Sequence, residues 1–280
     1  MVSNVRLLIL GSGTSAGVPV IGCDCAVCTS DDPRDRRLRS SACLQFTDGD
    51  GVERVILIDA SPDLREQALR ARLQRCDAIL FTHNHVDHTF GLDDVRRFNA
   101  LMHAPIPIYG DERTLEHLQR VYRHIFEQHK NVNDSFVATL MAHLIEVGRP
   151  IDLHGLRFTP LKLLHGRLPV LGFRVEALGA DGQVAREQPS PLPLAYCTDV
   201  SAIPPETWKQ LTGLSALVLD MLRYRKHPTH FTVDEAIAAA TSIGAARTWF
   251  THMTHDIRHT ELDPELPESM HLAFDGLIVK

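Results

Sequence analysis

Short apolar segments recur along this 280-residue chain, and several of them run into a residue whose side chain can bind a metal. Apolar runs of this length, and alternation of apolar with polar residues, are typical of β-strands. In chain order, the predicted strands cover 5–10, 42–47, 55–58, 79–81, 106–109, 156–164, 172–175, 194–199, 216–220 and 248–251, with a final edge strand at 272–279.

Helical spacing of apolar residues separates many of these strands. It predicts helices over 62–73, from 92 onward, over 112–126 and over 232–243. The last helix has Thr232 at its start and Glu235 three residues later, which is a capping box, and it ends near Gly244. Strands followed by alternating strands and helices, twice over, predict sheets covered by helices in a single domain that spans 1–280.

Composition and charge narrow the class of protein. Hydrophobic residues make up 44% of the chain and charged residues 23%, as expected for a globular protein with a buried core. The formal net charge of −6 gives no general basic surface, which argues against nucleic acid as a partner. The start of the chain lacks the features of a secretory signal, and no apolar run reaches membrane-spanning length. We therefore expect a cytoplasmic protein without a membrane partner.

The strand at 79–81 runs directly into a cluster of metal-binding side chains, His83, His85, Asp87 and His88. Ordinary packing does not require three imidazoles and a carboxylate within six residues. In a tight loop at a strand end, His83 and His85 can face a cleft that Asp87 and His88 reach from the next turn. The segment therefore predicts a site that two neighbouring metals can share, and the alternative is a histidine-rich surface turn.

Similar donors follow other predicted strands. His165, Asp199 and His252 each lie at or just after the end of a strand and supply what a dinuclear site still lacks. Asp59 also stands at a strand end. It can orient the histidine loop from behind or simply cap a helix or turn, and the sequence leaves both interpretations open.

A second group of metal-binding residues lies near the start of the chain, where Cys23, Cys25 and Cys28 place three thiols in six residues. Such a loop at 22–28 can wrap a single zinc ion if a fourth ligand, a histidine or a cysteine, comes from elsewhere. The alternative is a set of free or redox-active thiols.

Three further segments carry weaker signals. The glycines in 11–17 lack the spacing of a phosphate-binding or dinucleotide-binding loop and are interpreted as a tight turn that lets the backbone pass close to the site. Residues 31–40 form a polar, arginine-rich linker. Residues 117–143 have poor periodicity and are assigned to a surface or lid-like insertion, with His124 and His129 as solvated side chains.

The motif His-x-His-x-Asp-His at 83–88, followed by Gly-Leu-Asp-Asp at 91–94, resembles the signature of the metallo-β-lactamase superfamily. That resemblance implies an α/β fold, the four-layer αββα sandwich, with two metals at one edge of the sheets. It further implies that one ion is held by His83, His85 and His165, that the other is held by Asp87, His88 and His252, and that Asp199 bridges them.

A narrower resemblance is to the phosphodiesterase branch similar to phosphoribosyl 1,2-cyclic phosphate phosphodiesterase of the carbon–phosphorus lyase pathway. That branch pairs an early Cys-x-Cys-x-x-Cys with a histidine three residues after the last active-site ligand, here His255 after His252. On a turn, His252 can face the catalytic cleft while His255 turns away to complete a Cys3His zinc site with Cys23, Cys25 and Cys28.

These resemblances imply a metal-dependent hydrolase that cleaves a small cyclic or nucleotide-like phosphodiester by attack of a metal-bridging hydroxide. Asp87, Asp199 and His230 are the predicted catalytic residues. His230, in a His-Pro-Thr-His segment, resembles the family's catalytic histidine near the leaving group and can protonate it. His227 is the weaker candidate, and the alternative for His230 is packing at a helix start. The expected cofactors are two catalytic zinc or manganese ions and one structural zinc.

Other functions share this scaffold. An endonuclease resembling the tRNA 3′-processing members, a thioester or lactone hydrolase, and a non-catalytic metal-binding or redox-sensing protein are the alternatives. A homodimer is expected by family resemblance alone. Phosphate contact is assigned to no single residue, and the candidates are Arg96, Arg97, Arg167 and Arg225.

Overall fold

The computed structural model describes residues 1–132 and 135–280. The strands of these residues, in chain order, are β1 Ser3–Gly11, β2 Ser41–Thr47, β3 Glu53–Ile58, β4 Ala78–Leu80, β5 Ile106–Gly110, β6 Leu140–Leu144, β7 Ile151–Leu153, β8 Leu156–His165, β9 Leu168–Ala177, β10 Leu194–Cys197, β11 Ala216–Asp220, β12 Arg247–Thr251, β13 Met270–Leu272 and β14 Ile278–Val279.

The α-helices lie between the strands, as the alternating pattern predicts. They are α1 Leu64–Arg70, α2 Val86–Thr89, α3 Arg96–Met102, α4 Glu112–Val121, α5 Arg123–Phe126, α6 Pro205–Trp208, α7 Val233–Ile243 and α8 His259–Leu262. Helix α7 has the predicted capping box between Thr232 and Glu235 and ends at Gly244, whose φ of 67° suits glycine. Across the described residues, none of the helices has both the length and the apolar character needed to cross a bilayer.

Each of the two sheets has seven strands and mixes antiparallel with parallel pairing. The first has the order β14-β1-β2-β3-β4-β5-β6, and its strands β3 to β6 are parallel. The second has the order β13-β12-β11-β10-β9-β8-β7, and its strands β10 to β13 are parallel. Parallel pairs need crossover connections, and helices provide most of them.

Three apolar cores separate the layers. The inner faces of the two sheets pack on each other through large side chains such as Phe46, Phe158, Phe173 and Tyr196. On the outer face of the first sheet lie α1, α3, α4 and α5, and on that of the second lie α6, α7 and α8. The order helix, sheet, sheet, helix confirms the predicted four-layer αββα sandwich.

The carboxyl ends of the parallel strands meet at one edge of this sandwich. Asp59 follows β3, His83 follows β4, Asp199 follows β10 and His252 follows β12. Chain segments that leave parallel strands at the same edge bring residues distant in sequence to one place, which is where α/β sheets bind their ligands.

The last predicted strand is wrong in its extent. Residues 272–279 do not form one edge strand, because the chain turns at Asp275 and Gly276 and changes sheets. Met270–Leu272 extends the second sheet beside β12, whereas Ile278–Val279 pairs with β1 in the first. Asp275 fixes the turn, since its carboxylate accepts hydrogen bonds from the backbone and hydroxyl of Ser12.

Two other segments differ from the simple description that the sequence suggests. The polar linker at 31–40 is closely packed, and its Asp35, Arg37 and Ser40 are buried. Within 117–143, the segment predicted as a lid, the structure places the end of α4, α5 and most of β6, while residues 133 and 134 lie outside the described residues. That this segment closes over a substrate stays a prediction.

Candidate metal centre

Strand β4 and helix α2 position the histidine motif. The buried strand delivers Thr82 and His83 to the sheet edge, and α2 begins directly after His85, whose carbonyl accepts a hydrogen bond from Thr89 Oγ1. Asp87 and His88 therefore lie in the single turn of α2, where both are buried. His85 stays exposed and forms part of the open side of the site.

The structure brings the motif together with donors at the ends of β8, β10 and β12 and with one donor from the segment between β11 and α7. In each group, one nitrogen or oxygen per residue lies within 4.8 Å of the others. Four such groups are His83, His85 and His165; His83, His88 and Asp199; Asp87, His88 and His252; and His165, Asp199 and His230.

Asp199 lies where these groups overlap. Its Oδ2 is 3.2 Å from His88 Nε2, and its Oδ1 is 3.3 Å from His252 Nε2 and 3.9 Å from His83 Nε2. His230 Nε2 is 4.0 Å from the same Oδ1. A single carboxylate therefore faces histidines from both triads that the sequence predicts.

Asp59 orients two of the histidines from behind, which resolves the choice that the sequence leaves open. Its Oδ2 accepts hydrogen bonds from His88 Nδ1 at 2.7 Å and from the Thr82 hydroxyl at 2.8 Å, and that hydroxyl in turn accepts one from His83 Nδ1 at 2.9 Å. With Nδ1 protonated and bound in this way, the Nε2 lone pairs of His83 and His88 point into the site.

Two further histidines are held in the same manner. The carbonyl of Thr229 accepts a hydrogen bond from His165 Nδ1 at 2.8 Å, and Oδ1 of Asp220 accepts one from His230 Nδ1 at 2.9 Å. Sequence reasoning treated Asp220 only as the end of a buried strand. An acid at the end of an apolar strand beside the His-Pro-Thr-His segment was the signal that could have identified it.

The buried imidazole nitrogens test whether these residues suit a cation. His83 Nε2, His88 Nε2 and His252 Nε2 are inaccessible to solvent and have no hydrogen-bond partner among the described residues. Buried polar atoms are nearly always paired in proteins, and neutral imidazole together with carboxylate is the donor set of divalent transition metals. The residues therefore fit a metal.

Charge at the site supports the same conclusion. Burial opposes ionisation of Asp199, but the adjacent His252 and His88 outweigh burial and hold the pKa of its carboxyl well below its usual range. Burial likewise opposes protonation of His88, and the surrounding carboxylates, Asp199 first, raise its pKa above the usual value. The ionised carboxylates thus make the pocket attract positive charge.

Three residues at this edge have a positive φ. Asp59, Asp199 and His252 have φ values of 63°, 58° and 67°, in the left-handed region that residues other than glycine seldom adopt. Asp59 and His252 directly follow β3 and β12, and Asp199 lies two residues after the end of β10, so all three residues lie at the sheet edge. Strained residues of this kind persist where the surrounding structure and the function of a site require them.

The cysteines form a separate group with His255. Its Nδ1 lies 3.2 Å from Cys23 Sγ and 3.4 Å from both Cys25 Sγ and Cys28 Sγ. Thiolate and imidazole ligands of one tetrahedral zinc, at about 2.3 and 2.0 Å from the ion, lie about 3.5 Å from each other. The spacing and the chemistry of these four side chains therefore fit zinc.

The other candidates stand outside the cluster. His227 lies next to His230, with the ring centroids 5.3 Å apart, but it joins none of the groups named above. The four arginines are all exposed, and two of them pair with surface carboxylates, Arg96 with Asp93 and Arg225 with Asp256. Their contact with phosphate stays a prediction.

The sequence is similar to a known family and to known proteins. A family model described as a β-lactamase superfamily domain matches residues 54–253. An octanoyltransferase of Porphyromonas gingivalis (strain ATCC BAA-308 / W83) is 35% identical to this chain. The match covers 98% of this chain, which spans only about half, 51%, of that relative's length.

Solved structures also resemble the chain over its whole length. The crystal structure of a new diphosphatase from the PhnP family has 40% sequence identity and a TM-score of 0.85, and the match covers 99% of this chain and 98% of that one. The Zn(2+)-bound PqqB from Methylobacterium extorquens has 20% identity and a TM-score of 0.74, with 98% and 99% covered. At 20% identity the second likeness concerns the fold alone.

Proposed function

The chain belongs to the β-lactamase superfamily and is a metal-dependent hydrolase, and we propose that it cleaves a small phosphodiester with two divalent cations at the strand-end cluster. The observation that carries this proposal is the position of Asp199. Its Oδ1 lies 3.9 Å from His83 Nε2 and 3.3 Å from His252 Nε2, and its Oδ2 lies 3.2 Å from His88 Nε2, so one carboxylate reaches histidines of both triads.

In this proposal His83, His85 and His165 hold one cation, Asp87, His88 and His252 hold the other, and Asp199 contributes to both. Zinc or manganese suits this mixture of imidazole and carboxylate, whereas the three thiolates and His255 favour zinc at the second, structural site. Two cations so held supply a nucleophile from water at neutral pH and neutralise charge on phosphate oxygens.

The side chains around the cluster carry the remaining tasks. Asp87 holds a negative charge near His88 and His252, with its Oδ2 at 3.3 and 3.8 Å from their Nε2 atoms. His85 is the ligand candidate closest to solvent, so substrate enters on its side. Asp59, fully buried, keeps the histidine loop fixed during the reaction.

His230 is the proposed general acid. Its Nδ1 is bound to Asp220, which leaves Nε2, 4.0 Å from the Asp199 carboxylate, free to carry a proton toward the reacting phosphate. A histidine in this place can protonate the departing oxygen, a task that typically contributes about 10²–10⁴-fold to the rate. The neighbouring His227 has no such orienting carboxylate in the described part of the chain.

A second candidate substrate is a diphosphate. The PhnP-family protein with 40% identity is a diphosphatase, and cleavage of a phosphoanhydride also proceeds by attack at phosphorus. The same residues serve both reactions, and they differ mainly in the leaving group. The octanoyltransferase name belongs to a relative of which this chain covers half, and acyl transfer has no further support in the cluster.

The test compares substrate classes on metal-reconstituted protein. Bis(p-nitrophenyl) phosphate, diadenosine diphosphate, p-nitrophenyl acetate and a thioester are incubated with the wild type and with Asp199→Ala. We expect metal-dependent cleavage of the diester that the substitution abolishes. Preference for the diphosphate would favour the second candidate, and turnover of the acyl substrates alone would refute attack at phosphorus.

A further inference from the structure

A buried ion pair contacts the chain segment that connects the two proposed metal sites. The side chains of Arg37 and Asp35 are both completely inaccessible to solvent, and Arg37 Nη2 lies 3.0 Å from Asp35 Oδ1. The guanidinium also donates hydrogen bonds to two backbone carbonyls, from Nη1 to Thr254 at 2.8 Å and from Nη2 to Ile257 at 2.8 Å. Burying an arginine is costly, so this position indicates a specific task.

Those two carbonyls belong to the turn that carries both histidines. Thr254 lies between His252, which faces the strand-end cluster, and His255, which faces the cysteines. Asp35 contacts the chain just beyond this turn, because its Oδ1 accepts a hydrogen bond from the backbone N–H of His259, the first residue of α8, at 2.8 Å. The ion pair therefore binds two backbone carbonyls of the turn and one N–H at the start of the helix that follows it.

The backbone of Arg37 is joined to the other half of the cysteine site. The N–H of Arg37 donates to the carbonyl of Val18, and the N–H of Val18 donates to the carbonyl of Arg37, each at 2.8 Å. From Val18 the chain runs into the cysteine loop. Val20 N–H then donates to Cys28 Sγ at 3.3 Å. One residue is thus linked through its backbone to the cysteines and through its side chain to His255.

The turn has a second, separate support that ends earlier. Met253 N–H donates to the Ser12 carbonyl at 3.0 Å and Thr254 N–H to the Leu222 carbonyl at 3.0 Å, which holds the residues beside His252. Beyond Thr254, the backbone is held by the contacts of Arg37 with Ile257 and of Asp35 with His259. Gly13 lets these layers approach, because a Cβ atom there would lie 2.8 Å from the carbonyl oxygen of Arg37.

We infer that Arg37 is a positioning residue that fixes the turn 252–257 and so holds His255 against the three cysteines of the proposed Cys3His site. This inference rests on the proposed metal assignments. It predicts that loss of the guanidinium loosens His255 first, since the backbone contacts of Met253 still support His252. Residues that support metal ligands in this way typically change metal affinity by roughly 10–100-fold.

The experiment follows cobalt and zinc in Arg37→Met. Wild type reconstituted with Co²⁺ should show the thiolate-to-cobalt charge-transfer band and the d–d bands of a tetrahedral S3N site. In Arg37→Met we expect a weakened band and release of zinc to a chelator that is roughly 10–100-fold faster. Arg34→Met is the matched control, because Arg34 lies in the same segment but forms a partly exposed pair with Asp32.

A second pair of variants separates positioning from stability. Asp35→Asn should lower the melting temperature, since it removes a buried charge partner, yet leave the cobalt band unchanged because the amide oxygen can still accept from Arg37 and His259. If Arg37→Met does not fold, Arg37→Lys replaces it, since a lysine ammonium cannot reproduce the planar fork to two carbonyls.

The outcomes distinguish failure of the proposed Cys3His zinc site from failure of the positioning role of Arg37. If wild type lacks the thiolate–cobalt band, the proposed Cys3His assignment fails. If wild type has the band, and Arg37→Met or Arg37→Lys keeps the band and the zinc release rate of Arg34→Met, the positioning role of Arg37 is refuted while the zinc site stands.

Discussion

His230 and Asp220 form a fixed pair at the sheet edge, with Nδ1 of the imidazole 2.9 Å from Oδ1 of the carboxylate. The same carboxylate also accepts hydrogen bonds from the backbone N–H groups of Asp199, at 3.2 Å, and Phe231, at 3.0 Å. One buried acid therefore sets the orientation of the proposed general acid and the backbone of the residue shared by both triads.

Replacing Asp220 by asparagine tests this arrangement. Asp220→Asn presents an amide group where one carboxylate oxygen accepted a backbone hydrogen bond, and it removes the charge that favours the Nδ1–H form of His230. We expect kcat for diester cleavage to fall roughly 10–100-fold with little change in KM. Asp234→Asn, on the exposed face of α7, is the control. Equal kcat in Asp220→Asn and Asp234→Asn would refute the orienting role of Asp220.

The proposed acid role of His230 predicts a dependence on the leaving group. A poor leaving group such as an alkoxide needs a proton more than p-nitrophenolate does, so His230→Gln should slow alkyl phosphodiesters by about 10²–10⁴-fold and p-nitrophenyl diesters much less. Rates for a series of diesters measure this directly. His227→Gln is the adjacent control, and an equal loss for all leaving groups would argue that His230 only binds or packs.

Asp59 should control metal retention. Its carboxylate holds His88 directly and His83 through Thr82, so Asp59→Asn is expected to weaken metal binding at the cluster by roughly 10–100-fold. Metal content after dialysis against a weak chelator gives the result. Asp50→Asn, at an exposed turn, should retain the metal content of the wild type. If Asp59→Asn retains as much metal as this control, Asp59 does not support the metal ligands.

Asp77 should make stability depend on pH. Burial disfavours its charge, but hydrogen bonds from Arg75, from the Val55 N–H and from Arg54 outweigh burial and lower the pKa of its carboxyl. Because the native pKa lies below the unfolded value of about 3.9, the stabilisation is complete above that pH and is lost as pH falls through the native pKa.

The corresponding variant is Asp77→Asn, compared with wild type by urea unfolding. At pH 7 we expect its free energy of unfolding to be lower by about 1–3 kcal/mol, and we expect this difference to shrink as the pH falls below about 4. A difference that stays constant over that range would mean that the charge of Asp77 contributes nothing to stability.

The local part of the site could be predicted from the sequence because its residues are neighbours in the chain. His83 to His88 lie within one loop and one helical turn, and the spacing of His252 and His255 separates two faces of one turn. Strands and the capped helix α7 were likewise readable, since periodicity and capping are properties of short segments.

Contacts between residues that are far apart in the sequence could not be predicted. Arg37 lies in a segment that the sequence describes as a polar linker, yet its carbonyl partners are 217 and 220 residues away. Asp220 could not be told from any acid at a strand end until its contact with His230 was known. The tail at 272–279 looked like one strand because an apolar pattern does not reveal a change of sheet at Asp275.

The most direct test of the central claim is the position of the bond that is broken. Metal-reconstituted protein hydrolyses bis(p-nitrophenyl) phosphate in water enriched in ¹⁸O, and both products are analysed by mass spectrometry. Attack of water at phosphorus predicts one ¹⁸O atom in p-nitrophenyl phosphate and none in p-nitrophenol. Label in the p-nitrophenol would contradict attack at phosphorus. A protein that hydrolyses p-nitrophenyl acetate but does not cleave the diester at the same metal loading would contradict a phosphodiesterase.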